Sequence, residues 1–404
     1  MYRALQALKI QMFPPAQETL PPVTTFTGQS HFRAPEEGTE LFLGNSGTAT
    51  RILTALLSGG EGTFRVTGIS RMYERPIGDL VEALRPLCGK TKIIYDNKEG
   101  FPPLTIKARG LAGGKTSIRG NLSSQFVTGL LMAMPLCKGR VEVEIQGTLV
   151  SAPYVDLTLR IMEDFGARVG RDGYKKFWME NPSGYYGGGS RYIVEPDASS
   201  ASYFLAAGVI AKNFVTVEGI RKKSSQGEAK FAEVLYKMGA RIDYKGHQPK
   251  IGLFDGEGAP VYTSEDIIAY NNGTLRGIDI DMDLMSDTGM TLAIVALFAE
   301  GKTTIRNVGN WRLKETDRLH AMATELRKLG ATIEEGPDWI SIDPPDQLIP
   351  NVEIVTYDDH RMAMCFSLVS LGPKGVPVII RDPGCVRKTY PGYWDEFKRM
   401  TGQA

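Results

Sequence analysis

Five cations stand at recurring places along this 404-residue chain, and they are its first candidates for chemistry: Arg75, Lys314, Arg318, Arg361 and Lys388. Arg75 lies fourteen positions before Gly89, and Lys388 lies fourteen before Gly402. Lys314 and Arg318 belong to one run, Lys314-Glu315-Thr316-Asp317-Arg318. A guanidinium fits a carboxylate or a phosphate with two parallel hydrogen bonds, and an ammonium offers a point charge. Each of these residues alone also reads as solvated surface charge. Two acids stand among them. Asp287 sits at a helix start, where a carboxylate either caps the helix or takes a proton from a substrate hydroxyl. Glu315 is flanked by cations and is by default a salt-bridge partner; as an acid it would need burial. His360, between Asp359 and Arg361, suits an anion site as well as it suits packing.

The elements that must position these side chains follow from a repeat. One unit is written five times. Each copy opens on small polar residues, runs into an apolar helical stretch, and closes on a second helix that ends at glycine. The openings are Gly44-Asn45-Ser46-Gly47-Thr48, Leu122-Ser123-Ser124-Gln125, Asp197-Ala198-Ser199-Ser200, Ser286-Asp287-Thr288-Gly289 and Asp358-Asp359-His360-Arg361. The closing glycines are Gly89, Gly166, Gly239, Gly330 and Gly402. A repeat of this kind is a fold signature that takes precedence over any single motif. Equivalent places in successive copies meet around a pseudo-symmetry axis, so the cations are expected to converge on one cleft. Each opening reads as a helix N-terminus, whose free N–H groups and dipole attract anions.

The fourth closing helix is predicted over Lys314 to Leu329, with Leu319, Met322, Leu326 and Leu329 on one face and Gly330 as its left-handed cap. The second is predicted over Pro153 to Phe165, with Pro near the first turn and a stripe of Tyr154, Leu157, Ile161 and Phe165. Alternating stretches such as Thr63–Val66 and Val141–Ile145 read as strands. Arg3–Lys9 resembles a closing helix with no opening half before it, which predicts a sixth copy cut in half, and residues 11 to 40 read as loop with weak strands. The Gly/Ser/Tyr-rich stretch Pro182 to Ser190 reads as a linker, so the expected domains are 1–194 and 195–404.

Composition sets the outer bounds. With 42% hydrophobic and 23% charged residues, the chain is an ordinary globular protein long enough for two or three domains. A net charge of +1 gives no global field for nucleic acid or membrane, so anion binding must be local. The longest apolar run, Thr291 to Ala299, is too short to span a bilayer, and the first residues lack the apolar stretch of a secretory signal. The four cysteines show neither a disulfide framework nor a zinc pattern, which fits a reducing cytoplasm. Cys137 and Cys365 read as packed thiols. Cys385 reads as structural, although Arg387 and Lys388 beside it could lower its pKa.

These motifs resemble the 5-enolpyruvylshikimate-3-phosphate synthase family over Leu41 to Tyr393. The resemblance rests on Leu43-Gly44-Asn45-Ser46-Gly47-Thr48-Ala49, Glu74-Arg75-Pro76-Ile77-Gly78-Asp79-Leu80, Ser123-Ser124-Gln125, Asp197 to Tyr203, Trp311 to Arg318 and Tyr357 to Ala363. It implies an α/β (α+β) fold, a two-domain inside-out barrel of repeated βαβαββ units with helices inside and sheets facing out. It also implies lobes that close over the substrates. The implied reaction moves the enolpyruvyl group of phosphoenolpyruvate to the 5-hydroxyl of shikimate 3-phosphate and releases phosphate, in the shikimate pathway to chorismate and the aromatic amino acids. No metal or organic cofactor is implied, and the expected partners are these small molecules alone, with the protein a cytoplasmic monomer. By the same resemblance Ser123, Ser124, Gln125, Ser151, Asp287, Asn310 and Lys314 hold shikimate 3-phosphate, with Tyr154 on its ring. Gly47, Arg75, Gln125, Arg318, His360, Arg361 and Lys388 hold phosphoenolpyruvate. Asp287 accepts the hydroxyl proton and Glu315 donates one.

The chain departs from the family pattern in two places. The family's first motif, a Lys-Ser pair followed by Arg, has no counterpart, which agrees with the half repeat at Met1. The expectation is an incomplete synthase with reduced turnover or, as the alternative, a non-catalytic relic that binds phosphorylated ligands. In the glycine loop, Ile52 stands where Pro is usual, and Ser46 and Thr50 replace the common Ala and Met. A changed tilt of the helix carrying Gly47 and Thr48 is expected, with altered affinity for phosphoenolpyruvate and its mimic glyphosate.

Overall fold

The computed structural model describes residues 2–13, 24–26, 32–186, 191–222, 224–250, 252–254 and 263–402. The chain forms two compact units, Met1–Ser190 and Arg191–Ala404. The division falls just ahead of the boundary expected near Glu195. The reason is local: strand 191–193 pairs with strand 252–254 and so belongs to the second unit. Part of the expected linker, residues 187–190, lies outside the described residues.

The first unit opens with helix α1 (Tyr2–Ala7) and an antiparallel pair, β1 (Met12–Phe13) with β2 (Thr25–Phe26). This is the helix-then-hairpin order of a closing half, and Ala4 and Leu8 are buried in the core. A complete copy follows: β3 (Thr39–Phe42), α2 (Gly47–Ser58), β4 (Glu61–Thr67), α3 (Gly78–Leu84), β5 (Lys92–Tyr95) and β6 (Leu104–Arg109). The next is β7 (Gly114–Arg119), α4 (Ser124–Ala133), β8 (Val141–Gln146), α5 (Ala152–Asp164), β9 (Gly170–Asp172) and β10 (Lys176–Met179).

The second unit repeats the plan. Its first copy is β11 (Arg191–Ile193), α6 (Ala198–Ile210), β12 (Val215–Val217), α7 (Phe231–Lys237), β13 (Arg241–Lys250), β14 (Gly252–Phe254) and β15 (Thr263–Tyr270). Then come β16 (Asp279–Asp281), α8 (Gly289–Ala296), β17 (Thr303–Arg306), α9 (Arg318–Lys328), β18 (Thr332–Glu335) and β19 (Ile340–Asp343). The last copy is β20 (Val352–Ile354), α10 (His360–Ser367), β21 (Val378–Ile380) and α11 (Tyr393–Thr401).

The four-stranded sheets share one topology. They run β3-β4-β6-β5, β7-β8-β10-β9 and β16-β17-β19-β18. In each, a parallel pair is joined by a crossover helix and an antiparallel hairpin completes the sheet. A parallel pair cannot be closed by a tight turn, so a helix must intervene, and its start lies beside the end of the first strand. The apolar side of each sheet packs inward: Phe64 and Val66 on β4 are fully buried, while Glu61 and Arg65 are exposed. The opening helices form the centre. Every residue of α8 is buried, which is what a helix apolar on all sides requires. Each unit has its own core, built from residues 4–179 in the first and 198–393 in the second.

Local expectations fared unevenly. Gly89, Gly166, Gly239, Gly330 and Gly402 all have positive φ, at 55°, 78°, 104°, 95° and 68°, the conformation a C-terminal cap demands. The stripe Leu319, Met322, Leu326 and Leu329 is wholly buried. The helix carrying it begins at Arg318 and not at Lys314, because Asp317 caps it by accepting from His320 N at 3.1 Å. In α5 the buried stripe is Ala152, Val155, Thr158 and Met162, one step round from the expected one. Thr158 and Thr128 share a hydroxyl–hydroxyl hydrogen bond of 3.1 Å that turns this face toward α4.

Candidate active site

Within the second unit, the chemistry collects where α8, α9 and α10 begin. Asp287 precedes α8, but its carboxylate makes no helix cap. Arg361 Nη2 donates to Asp287 Oδ2 at 2.9 Å, and Arg318 Nη1 to Oδ1 at 3.2 Å. Lys314 Nζ lies 3.4 Å from Oδ1. Burial by itself would raise the Asp287 carboxyl, yet Arg361, Lys314 and Arg318 together overcome it and hold the group far below the ordinary carboxylate range.

Arg318 is the hub. It is fully buried, and its guanidinium donates to Asp359 Oδ2 at 2.7 Å and to Glu315 Oε2 at 2.8 Å as well as to Asp287. Burial would lower its pKa, but Asp359, Glu315 and Asp287 outweigh burial and raise it. Asp359 caps α10 by accepting from Arg361 N at 2.9 Å, so one carboxylate fixes both arginines. Lys388 Nζ closes on the other oxygen of Glu315. Burial lowers the Lys388 ammonium, and Glu315 opposes that shift. Asn310 donates from Nδ2 to Ser286 Oγ at 3.1 Å, beside Asp287. His360 is 3% exposed, with Nδ1 3.5 Å from Asp359 Oδ1. Burial pushes its pKa down to about 3 against the pull of Asp359, so the imidazole is neutral near pH 7. Arg318, Arg361, Lys314 and Lys388 are thus gathered at one place by the carboxylates of Asp287, Glu315 and Asp359, and an incoming anion meets donors already in position.

The first unit carries a second electropositive point, at the start of α2. Ser46 caps the helix, accepting from Ala49 N at 3.4 Å, a bond the common Ala could not make. Arg75 is buried there and donates from Nη1 to Asn45 O at 2.8 Å and Asn45 Oδ1 at 3.1 Å. Gly47 makes this possible. A Cβ at Gly47 would lie 2.5 Å from Arg75 Nη2 and 2.6 Å from Arg51 Nη1. Two guanidiniums therefore press on the positive end of a helix, an arrangement that favours an anion. Ser123 caps α4, accepting from Gln125 N at 3.3 Å, and Ser124 is buried as its first residue. Gln125 Nε2 donates to Thr48 Oγ1 at 3.1 Å, tying the starts of α2 and α4 together. Ser151 stands before α5 in a left-handed conformation, φ 52°, and its carbonyl accepts from Tyr154 N at 3.1 Å.

The expected site residues thus fall in two groups. Asp287, Asn310, Lys314, Glu315, Arg318, His360, Arg361 and Lys388 gather in the second unit, and Gly47, Arg75, Ser123, Ser124, Gln125, Ser151 and Tyr154 belong to the first. Sequence reasoning missed Arg51, Asp359 as the hub's partner, and Tyr203, whose hydroxyl accepts from Arg361 Nη1 at 3.1 Å. Arg51 was detectable as the residue four positions after Gly47, on the same helical face. Tyr203 lies in the motif Asp197 to Tyr203, but nothing local marked its hydroxyl as a partner of Arg361, since that contact spans more than one repeat. Cys385 agrees with the structural reading: burial pushes its thiol up to about 11, and the nearby carboxylates of Asp382, Asp359 and Asp358 push the same way.

A model of the family EPSP synthase (3-phosphoshikimate 1-carboxyvinyltransferase) matches residues 1–397. The chain belongs to the EPSP synthase family. It is 50% identical to the 3-phosphoshikimate 1-carboxyvinyltransferase of Burkholderia vietnamiensis over 366 residues, 89% of this chain and 80% of that protein. Against the protein of the same name from Shewanella denitrificans it is 51% identical over 364 residues, 90% of this chain and 79% of the other. The EPSP synthase structure from Acinetobacter baumannii superposes with a TM-score of 0.74 at 25% identity, covering 98% of this chain and 86% of that one. The α/β fold of repeated units described above is the family's fold. Among the described residues no helix is long and apolar enough to cross a membrane.

Proposed function

We propose that this chain transfers the enolpyruvyl group of phosphoenolpyruvate to the 5-hydroxyl of shikimate 3-phosphate and releases inorganic phosphate. The observation that carries the reading is the convergence of Arg318, Arg361 and Lys314 on the Asp287 carboxylate. Both substrates are multiply charged anions, and fixed cations are what offset their repulsion. In the second unit, Arg318, Arg361 and Lys388 hold phosphoenolpyruvate beside His360, and Lys314 and Asn310 hold shikimate 3-phosphate. In the first unit, Gly47, Arg75 and Gln125 serve phosphoenolpyruvate, and Ser123, Ser124, Gln125, Ser151 and Tyr154 serve shikimate 3-phosphate. The protein acts as a monomer.

The chemistry balances as an addition followed by an elimination. The 5-hydroxyl oxygen bonds to C2 of phosphoenolpyruvate while C3 gains a proton. Phosphate then leaves C2 as C3 gives a proton back, restoring the double bond. Asp287 takes the hydroxyl proton. Paired with Lys314, Arg318 and Arg361 it is too well stabilised to be a strong base, so the substrates must first draw these cations onto their own phosphate and carboxylate groups. Glu315 handles the proton at C3, with Lys388 against its other oxygen.

Phosphorus NMR on the purified chain with both substrates tests the reading. The expected result is equal growth of inorganic phosphate and of the enolpyruvyl ether. Consumption of neither substrate would overturn it, and binding of both without product would point to a phosphate-binding relic.

A further inference from the structure

We propose that Glu325 is a positioning residue for the anion-binding start of α10, an inference that rests on the functional reading above. Glu325 lies on α9, fully buried and away from the cluster around Asp287. Its Oε1 accepts from Tyr357 Oη at 2.8 Å. Its Oε2 accepts from Lys328 Nζ at 2.6 Å and from Val355 N at 3.2 Å. A buried carboxylate is tolerated only when its oxygens are satisfied, and three donors satisfy this one.

Two of those donors belong to the segment that leads into α10. Within it, Tyr357 and Asp358 are consecutive non-glycine residues in the left-handed region, both with φ 54°. Side chains disfavour that region, so two in succession persist only where the surroundings enforce them. The Glu325 contacts bracket the pair from its N-terminal side, at Val355 N and at the Tyr357 hydroxyl. On the other side, Asp359 N donates to Thr356 O at 2.8 Å. The next groups in the chain are the Asp359 carboxylate, which fixes Arg318 and the Arg361 amide, and Arg361 itself. Glu325 holds the turn, the turn sets Asp359, and Asp359 sets the two guanidiniums assigned to phosphoenolpyruvate.

Two variants test this. Glu325→Gln keeps the shape and removes the charge, and Tyr357→Phe removes one donor without emptying core volume. KM for phosphoenolpyruvate is expected to rise about tenfold in E325Q and about threefold in Y357F, with kcat and KM for shikimate 3-phosphate changed less than about twofold. The double variant should resemble E325Q alone, because the phenol acts through the carboxylate. Amide hydrogen exchange should quicken over residues 355–362 and stay slow in the core of α9. A lower melting temperature with unchanged KM for phosphoenolpyruvate and unchanged exchange over 355–362 would overturn the proposal and leave Glu325 a purely structural group. If E325Q does not fold, Y357F decides by the same readouts. If the unsubstituted chain releases no phosphate, the functional reading fails. The exchange pattern then decides alone, local acceleration supporting the positioning role and global or absent acceleration refuting it.

Discussion

His360 and Asp287 make the residue scale measurable, because both are displaced from their ordinary protonation behaviour in the same sense. His360 has its folded pKa depressed from 6.5 to about 3. The unfolded chain therefore binds a proton that the folded chain refuses, and this part of the stability is present above pH 6.5 and lost as pH falls toward 3. Asp287, also depressed, adds a loss that begins only below its ordinary value of 3.8. Melting temperature should fall between pH 6.5 and 4, and His360→Gln should flatten that slope and leave the steeper fall at lower pH. An unchanged slope in the variant would contradict the burial argument. At Gly47 the contact distances predict a different effect. Gly47→Ala should push Arg75 and Arg51 from the start of α2 and raise KM for phosphoenolpyruvate about tenfold, at a stability cost near 1 kcal/mol. Steady-state kinetics with each substrate varied in turn checks it.

Helices are the next scale, since their starts set the cations. Arg318→Ala would leave Asp359, Glu315 and Asp287 buried without their shared donor, and breaking such a network costs about 3–5 kcal/mol. Denaturant unfolding should register that loss, and phosphate release should fall by more than about a hundredfold. The caps were legible in the sequence at Ser46, Ser123, Asp197 and Asp359, because small polar residues before an apolar run have one good use. The exception was Asp287, whose oxygens are taken by cations. Which opening departs from capping depends on partners from α9 and α10, and no local rule supplies those. The same limit explains α5, where the buried stripe is chosen by its neighbour α4 and periodicity alone allowed a rotated face.

For the whole molecule, the repeat made the fold readable. Periodic closing glycines and opening caps marked five openings, the last of which, β20 to α11, has no closing hairpin among the described residues, and the parallel strand pairs followed from the crossover helices. The distribution of the charged residues among the helix starts was legible only as converging cations. The carboxylates that bind them, Asp359 above all, came from the structure. Because each unit has a core of its own residues, Leu326→Ala should destabilise the second unit by about 2–5 kcal/mol and leave the first untouched. Calorimetry should then resolve two heat-absorption peaks where the parent chain shows closer or merged ones. A single peak displaced as a whole would show that the units unfold together.

The gathering of cations on Asp287 bears on how the protein behaves in ordinary buffers. A dissolved dianion such as sulfate competes with Asp287 for Arg318, Arg361 and Lys314, and whatever binds only the folded state stabilises it by mass action. Sulfate should protect the chain against heating in a saturable way that sodium chloride of equal ionic strength does not reproduce. The same salt should slow turnover by contending with phosphoenolpyruvate, so storage and assay call for different solutions.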